Sequence, residues 1–167
     1  MTKGPRVTNG EFDLAETPSH LIRRIQQFHG DLFAREAGAR DLTKSQFTVL
    51  CATEQNEGVS QTALVEITGI DRSTLAEMVS RMIEKGLLSR ERTKEDQRAN
   101  SIAITAAGRK ALRAVRSAVE KVERQLLEPL PQPERQRFLR QLATIAAAGD
   151  AFTADGKFRT RVSRRRR

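Results

Sequence analysis

Two short segments in which apolar and polar residues alternate constrain the fold of this chain more than any other feature. They are Leu88–Arg92 and Ser101–Thr105, and a charged loop joins them. Alternation of this kind is typical of strands, and two strands joined by a polar loop indicate a β-hairpin. Two short amphipathic helices joined by a tight turn precede the hairpin. This order predicts a winged helix-turn-helix, which places one helix in a DNA groove and an arginine-bearing loop beside it.

Capping residues, apolar periodicity and glycines predict helices on both sides of the hairpin. Thr17 and Pro18 open the first helix, which runs to about Ala37, because a hydroxyl N-cap followed by proline is a helix start. The later helices are predicted over 43–58, 60–69, 71–86, 106–128 and 134–148, with Asp71 or Ser73 as the cap of the fourth helix. The predicted fold is mainly α with a small β-hairpin wing.

The predicted elements divide the chain into an irregular arm, a DNA-binding lobe, flanking dimerisation helices and a tail. The arm covers 1–16, the winged helix-turn-helix lobe 42–105, the dimerisation helices 17–41 and 106–148, and a basic disordered tail 149–167. Two apolar seams with heptad-like spacing support dimerisation. The first seam is Leu21, Ile25, Phe28 and Leu32, and the second is Leu112, Val115, Val119, Val122 and Leu126. Such stripes predict a symmetric dimer, and the alternative is that these helices pack only on each other within a monomer.

The net charge of +9 is concentrated at one end of the chain. Lys157–Arg167 holds seven positive and no negative charges, which leaves +2 for residues 1–156. The tail either adds salt-sensitive affinity for phosphates or is a solubilising terminus without a specific role. Because the chain has no Trp, no Tyr and only seven Phe, aromatic platforms on which single-strand and RNA binders stack bases are scarce, and duplex DNA is favoured.

Candidate DNA contacts lie on the fourth helix and on the hairpin. With Leu75, Val79, Met82 and Ile83 facing the core, the outward face of this helix carries Ser73, Thr74, Glu77, Ser80 and Arg81. Hydroxyls near the helix start could donate to phosphates, Arg81 could bind guanine or phosphate, and Glu77 could accept from cytosine or pair with Arg81. The hairpin adds Arg90, Arg92, Lys94 and Arg98 for a narrow minor groove, while Asp96 is expected to tether the hairpin or orient an arginine. The alternative is an ordinary charged surface.

Several classes of function are not expected. The sequence has no phosphate-binding glycine loop, no nucleophile elbow and no metal-ligand spacing, so we predict no enzyme, no metal site and no cofactor. No apolar run of 18 residues is present, and we expect no membrane span. The single cysteine, Cys51, fits a reducing cytosol, so a cytoplasmic location is predicted.

Several short motifs together are similar to the MarR family of bacterial transcriptional regulators, over roughly residues 17–148. They are Leu42-Thr43, Gly69-Ile70-Asp71-Arg72-Ser73-Thr74, Lys85-Gly86-Leu87, Asp96-Gln97-Arg98 and Ile104-Thr105-x-x-Gly108. The resemblance implies a homodimer that binds a pseudo-palindromic operator, usually as a repressor released by an aromatic carboxylate. It places Ser73, Thr74 and Arg81 on the recognition helix and Arg98 at the wing tip. Many relatives carry arginine where Gln97 stands, and the terminal arginine run is outside the family pattern.

The resemblance also implies an effector cleft between the dimerisation helices and the DNA-binding lobe. Residues that could line it are His29, Phe33, Arg40, Phe47, Thr48 and Cys51. A buried anion needs donors to offset its desolvation, and His29 and Arg40 could serve an aromatic acid or its CoA thioester. The alternative is a satisfied interface histidine and a surface arginine.

Two other functions stay open at this point. One is a redox-responsive regulator that uses Cys51, against which the residue can be a packed small hydrophobe. The other is an architectural or weakly specific DNA-binding protein that relies on its basic tail.

Overall fold

The computed structural model describes residues 13–37, 42–92 and 100–154. Its helices are α1 (Pro18–Ala37), α2 (Lys44–Gln55), α3 (Gln61–Thr68), α4 (Arg72–Glu84), α5 (Ala106–Leu127) and α6 (Gln132–Ala154). Its strands are β1 (Val59–Ser60), β2 (Leu88–Arg92) and β3 (Asn100–Ile104). The chain forms two compact units, residues 1–126 and 127–167, so that α6 lies in the second. The mainly helical fold with a small hairpin is the predicted one.

Local capping explains where the helices of the first unit begin. Thr43 and Gln46 form a complete capping box, in which each side chain bonds the backbone amide of the other. The Ser60 hydroxyl accepts from the Ala63 amide at 3.1 Å and starts α3. Gly86 follows α4 with φ of 71°, a left-handed conformation that favours glycine. These boundaries agree with the sequence prediction because each depends on residues only a few positions apart.

The three strands form an antiparallel sheet in the order β1-β3-β2. In the predicted hairpin, Leu88 pairs with Ile104 and Arg90 with Ile102. The second strand begins and ends one residue before its predicted limits, since Thr105 caps α5 instead of extending the strand. The sequence analysis missed β1, whose two residues are too few to show alternation.

The core of the first unit is built from the apolar faces of its helices and strands. Its fully buried side chains include Val49, Leu50, Leu64, Leu75, Val79, Met82, Leu88, Ile102, Leu112 and Val115. The predicted inward face of α4 is confirmed, with Ile83 partly buried against the cluster. This core holds α4 by one face and leaves its opposite face exposed.

The two apolar seams have different fates in the single chain. Leu112, Val115, Val119 and Val122 are buried, Leu126 is half-buried, and Leu32 of the first seam is 3 % exposed. These side chains are covered within the single chain, and their part in dimerisation stays a prediction. Leu21, Ile25 and Phe28 of α1 are 47 %, 38 % and 41 % exposed. This part of the predicted seams is exposed in the single chain.

Both ends of the described chain depart from the predicted limits. Leu14–Glu16 forms a 3₁₀ turn capped by Asp13, where an irregular arm was predicted. The Thr17 hydroxyl donates to the Leu14 carbonyl at 2.9 Å, so it closes this turn in place of its predicted N-cap role. Helix α6 continues to Ala154, so the disordered tail predicted from 149 begins too early. Residues 1–12 and 155–167 lie outside the described ranges.

Helix α6 starts on a local network of its own. The Arg135 guanidinium donates to the carbonyls of Leu130 and Glu128, at 3.0 and 3.3 Å. These bonds satisfy carbonyls at the proline-rich break after α5. Among the described helices, none is long and apolar enough to cross a bilayer.

Candidate DNA-binding interface

The outward face of α4 is open to solvent along its length. Leu75, Val79 and Met82 are completely buried and fix the rotation of the helix about its axis. On the opposite face, the five predicted contact residues are all exposed: Ser73, Thr74, Glu77, Ser80 and Arg81. Their exposure follows from the apolar periodicity of α4, and their contact with DNA stays a prediction.

The first turn of α4 is organised by the carboxylate of Asp71. Its Oδ1 accepts from the Thr74 amide at 2.9 Å and from the Ser73 hydroxyl at 2.7 Å. The Thr74 amide is the main reason that the pKa of Asp71 falls to about 2, with the hydroxyls of Thr74 and Ser73 contributing. The Ser73 hydroxyl therefore donates to Asp71. Donation from the Ser73 and Thr74 hydroxyls to phosphates stays a prediction.

The middle of the exposed face carries an ion pair. Nη2 of Arg81 lies 2.8 Å from Oε2 of Glu77, one helical turn earlier. Both side chains remain about two thirds exposed, at 68 % for Arg81 and 70 % for Glu77. Of the two predicted roles for Glu77, the structure shows the pairing with Arg81. The pair presents a guanidinium and a carboxylate side by side at the surface.

The predicted wing is described only at its base. Arg90 of β2 is exposed, and the Ser101 hydroxyl donates to the Glu91 carbonyl at 3.1 Å. Arg92 lies in β2 by its backbone, and its side chain is outside the described part. The remaining predicted wing residues, Lys94, Asp96 and Arg98, also lie outside the described residues.

Hydrogen bonds connect the end of α4 to the start of α5, and the sequence analysis did not identify this connection. The Thr105 hydroxyl donates to the Gly86 carbonyl at 2.6 Å and accepts from the Gly108 amide at 3.0 Å. The Thr105 amide donates to the Leu87 carbonyl at 3.1 Å. A Cβ on Gly108 would overlap this same Leu87 oxygen. The Thr-x-x-Gly sequence therefore fixes the end of α4 and the base of the hairpin against α5.

Ion pairs connect α5 to α1 and to α2. Nζ of Lys121 lies 2.7 Å from Oε2 of Glu36, and this contact is the main cause that lowers the pKa of Glu36. On α2, Glu54 lies 3.8 Å from Arg116. No sequence signal identified these pairs because their members are separated by tens of residues.

The predicted effector residues on α1 and α2 fall in two environments. Phe33 is buried in the core, and Phe47 and Cys51 pack against the same apolar cluster. Nε2 of His29 is excluded from solvent and lies 3.3 Å from Oε1 of Glu123, without a well-aligned hydrogen bond in the described part of the chain. An effector carboxylate that binds Nε2 of His29 would compete with Glu123.

The two remaining effector candidates are Thr48 and Arg40. The Thr48 hydroxyl donates to the Lys44 carbonyl of its own helix at 3.1 Å. Arg40 lies outside the described residues.

The environment of Cys51 is that of a packed thiol. Its side chain is half-buried, and this burial raises the pKa of the thiol. A raised pKa disfavours the thiolate, which is the reactive form. The geometry thus favours the packed hydrophobe over the redox alternative. Among the described residues, no three His, Cys, Asp or Glu side chains are grouped as metal ligands would be.

Comparison with known proteins agrees with this geometry. The sequence pattern described as "MarR family" matches residues 40–99, which include α4 and the first strand of the hairpin, β2. The transcriptional regulator HosA of Escherichia coli is 34 % identical over 120 residues, covering 72 % of this chain and 87 % of HosA.

Two solved structures share the fold. BpsR of Bordetella bronchiseptica, whose DNA binding is regulated by 6-hydroxynicotinic acid, has a TM-score of 0.77 and 26 % identity, covering 82 % of this chain and 98 % of BpsR. The transcriptional repressor CouR, solved bound to a 23-mer DNA duplex, has a TM-score of 0.72 and 30 % identity, covering 81 % of this chain and 99 % of CouR. The chain therefore belongs to the MarR family of DNA-binding transcriptional regulators.

Proposed function

We propose that this protein is a homodimeric, cytoplasmic transcriptional repressor that binds a pseudo-palindromic operator and leaves it on binding a small aromatic carboxylate or its CoA thioester. It acts by binding and release and not by catalysis. The observation that carries the proposal is the exposed face of α4, held by a rigid core beside an antiparallel hairpin. The likeness to the DNA-bound repressor CouR supports the same arrangement on a duplex.

The exposed apolar residues of α1 support the homodimer. Leu21, Ile25 and Phe28 are spaced four and three residues apart, and Ile22 beside them is 44 % exposed. A stripe with this spacing is buried in water-soluble proteins by packing against a second helix. A two-fold dimer would present two copies of α4, which explains why a pseudo-palindromic site is expected.

The charge of the winged lobe favours site-specific binding over general attraction to DNA. Residues 42–105 hold eight Lys or Arg and nine Asp or Glu, a net charge of −1. Sequence-independent affinity comes from neutralising phosphates with cations, which this balance does not favour. The lobe must therefore obtain affinity from individually placed contacts. The architectural alternative depends on the seven cations of Lys157–Arg167.

The likeness to BpsR supports an aromatic acid as effector, because 6-hydroxynicotinic acid regulates DNA binding by that protein. In this chain, His29, Phe47 and Cys51 lie on the two helices that would enclose such a ligand. Ligand binding would favour a conformation whose two recognition helices no longer match one turn of DNA.

The test of DNA binding is fluorescence anisotropy on the duplex upstream of the protein's own gene, against a scrambled duplex at physiological salt. A regulator prefers its site by about 10³-fold or more. Removal of Lys157–Arg167 should weaken binding to both duplexes alike and leave the preference for the upstream duplex unchanged. Arg98→Ala should weaken binding to the upstream duplex and so reduce this preference. Equal binding to both duplexes contradicts the proposal and favours the architectural alternative.

The test of the effector is isothermal titration with benzoate, hydroxycinnamate and nicotinate derivatives, followed by displacement of the bound duplex. His29→Gln removes the imidazole, and Gln132→Ala on α6 is a control far along the chain from α1 and α2. For an active compound we expect heat of binding and release of the bound duplex. Both should be reduced in His29→Gln and unchanged in the control. The absence of heat from every compound refutes this effector class.

A further inference from the structure

We propose that Glu77 and Arg81 act as one unit that recognises a single G·C base pair in each operator half-site. Arg81 donates to the guanine, and Glu77 accepts from the amino group of a cytosine. The inference depends on the proposed function and takes α4 to enter the major groove, as the second helix of a helix-turn-helix does. It adds which side chains carry specificity and which base pair they require.

The contact between the two side chains leaves most of their hydrogen-bonding capacity free. The short contact joins Nη2 of Arg81 to Oε2 of Glu77 at 2.8 Å. A guanidinium has five N–H donors and a carboxylate about four acceptor positions, so the mutual bond uses one of each. Both side chains are about two thirds exposed, at 68 % and 70 %, on the face opposite the buried Val79. The unit therefore presents adjacent donors and an acceptor in a defined order.

This order matches one kind of base pair. In the major groove, a G·C pair shows two acceptors on guanine, N7 and O6, followed by the N4 amino donor of cytosine. Two donors from Arg81 and one acceptor from Glu77 are complementary to it. An A·T pair in either orientation places its amino donor against a donor of Arg81 and an acceptor against the acceptor of Glu77. The ion pair can remain intact while both residues contact the bases.

The charge of the unit indicates a role in specificity and not in general affinity. Glu77 compensates the positive charge of Arg81, and the Asp71 carboxylate adds a negative charge at the start of the same helix. A compensated arginine attracts phosphates less than a free one. Removing the carboxylate should therefore raise affinity for random duplex and steepen its salt dependence, by up to about 0.9 in log–log slope per additional phosphate contact.

The experiment begins with selection of binding sequences from a random duplex library by the full-length protein. Dissociation constants are then measured on the selected site and on duplexes with each base pair replaced. Three variants are compared: Glu77→Gln, Arg81→Lys and Glu120→Gln. Lysine keeps the charge of Arg81 without the planar donor fork. Glu120 is exposed on α5, so its replacement is a matched control for loss of one carboxylate.

We expect the unaltered protein to lose about 10- to 100-fold in affinity when one G·C pair per half-site is replaced by A·T. Glu77→Gln and Arg81→Lys should both reduce this loss at that position alone, with unchanged circular dichroism spectra, and Glu120→Gln should behave like the unaltered protein.

Two results overturn the inference and leave the proposed function standing. In the first, a consensus is selected but both variants keep the full preference at every position. In the second, only Arg81→Lys has an effect, which would assign the base pair to Arg81 alone. A library without any consensus refutes the proposed site-specific function itself.

Discussion

Replacing Gly108 by alanine tests whether the close contact between α5 and the hairpin base fixes the lobe. Gly108 lies in the first turn of α5, where helix propensity alone makes alanine more stable by about 1 kcal/mol. The structure predicts the opposite sign. The added Cβ would overlap the Leu87 carbonyl oxygen and crowd the Ile104 side chain. Because the overlapping atom belongs to the backbone, no side-chain rotation can relieve the contact.

The expected magnitude follows from the contacts that must change. Overpacking of this kind costs about 1–3 kcal/mol. Moving the Leu87 carbonyl also weakens its 3.1 Å bond from the Thr105 amide, at about 1 kcal/mol. After subtraction of the helix-propensity gain, Gly108→Ala should lower the free energy of unfolding by about 1–3 kcal/mol.

The assay is urea denaturation followed by circular dichroism at one protomer concentration, because dimerisation would make stability depend on concentration. Gly30→Ala in α1 is the control, since an added Cβ there meets no atom within 4 Å. We expect it to raise the free energy of unfolding by about 0.5–1 kcal/mol. If Gly108→Ala is as stable as the unaltered protein or more stable, the close contact does not constrain α5 and the reasoning is refuted.

Four further predictions concern Thr105, Asp71, Ile25 and Cys51. Thr105→Val should lower the free energy of unfolding by about 2 kcal/mol in urea titrations, because the Gly108 amide loses its acceptor, whereas Thr105→Ser should cost less than half of that. Asp71→Ala should lower the melting temperature at pH 7. Since the folded-state pKa of Asp71 lies near 2, this difference should persist above pH 4 and narrow as pH falls towards 2; a constant difference contradicts the capping role. Ile25→Asp should give a folded monomer in light scattering, and an unchanged mass refutes the α1 interface. Cys51 should react with a thiol reagent at pH 7 more slowly than a free cysteine peptide, because burial raises its pKa; faster reaction would revive the redox alternative.

The hydrogen bonds of Thr105 show what a sequence motif does not reveal by itself. The Thr-x-x-Gly pattern was visible in the sequence and contributed to the family resemblance. Its physical role depends on the Gly86 and Leu87 carbonyls, which lie about twenty residues earlier in the chain. A pairing at that separation leaves no periodic trace, so only the folded backbone reveals it.

The first turn of α4 gives a second example at shorter range. Asp71 was identified as a possible cap from its position before the helix. The partner of the Ser73 hydroxyl could not be predicted, because the sequence does not state which acceptor is nearer. In the structure this hydroxyl donates to the Asp71 carboxylate at 2.7 Å, and its contact with DNA stays a prediction.

The sequence by itself determined the elements whose signals are local. The capping box at Thr43, the left-handed Gly86 and the strand Leu88–Arg92 all follow from interactions within a few residues. Only the tertiary structure decided the fate of the two apolar seams. Their spacings are nearly alike, yet Leu112 is 1 % exposed and Leu21 is 47 % exposed. Periodicity identifies the apolar face of a helix, and what covers that face depends on where the rest of the chain lies.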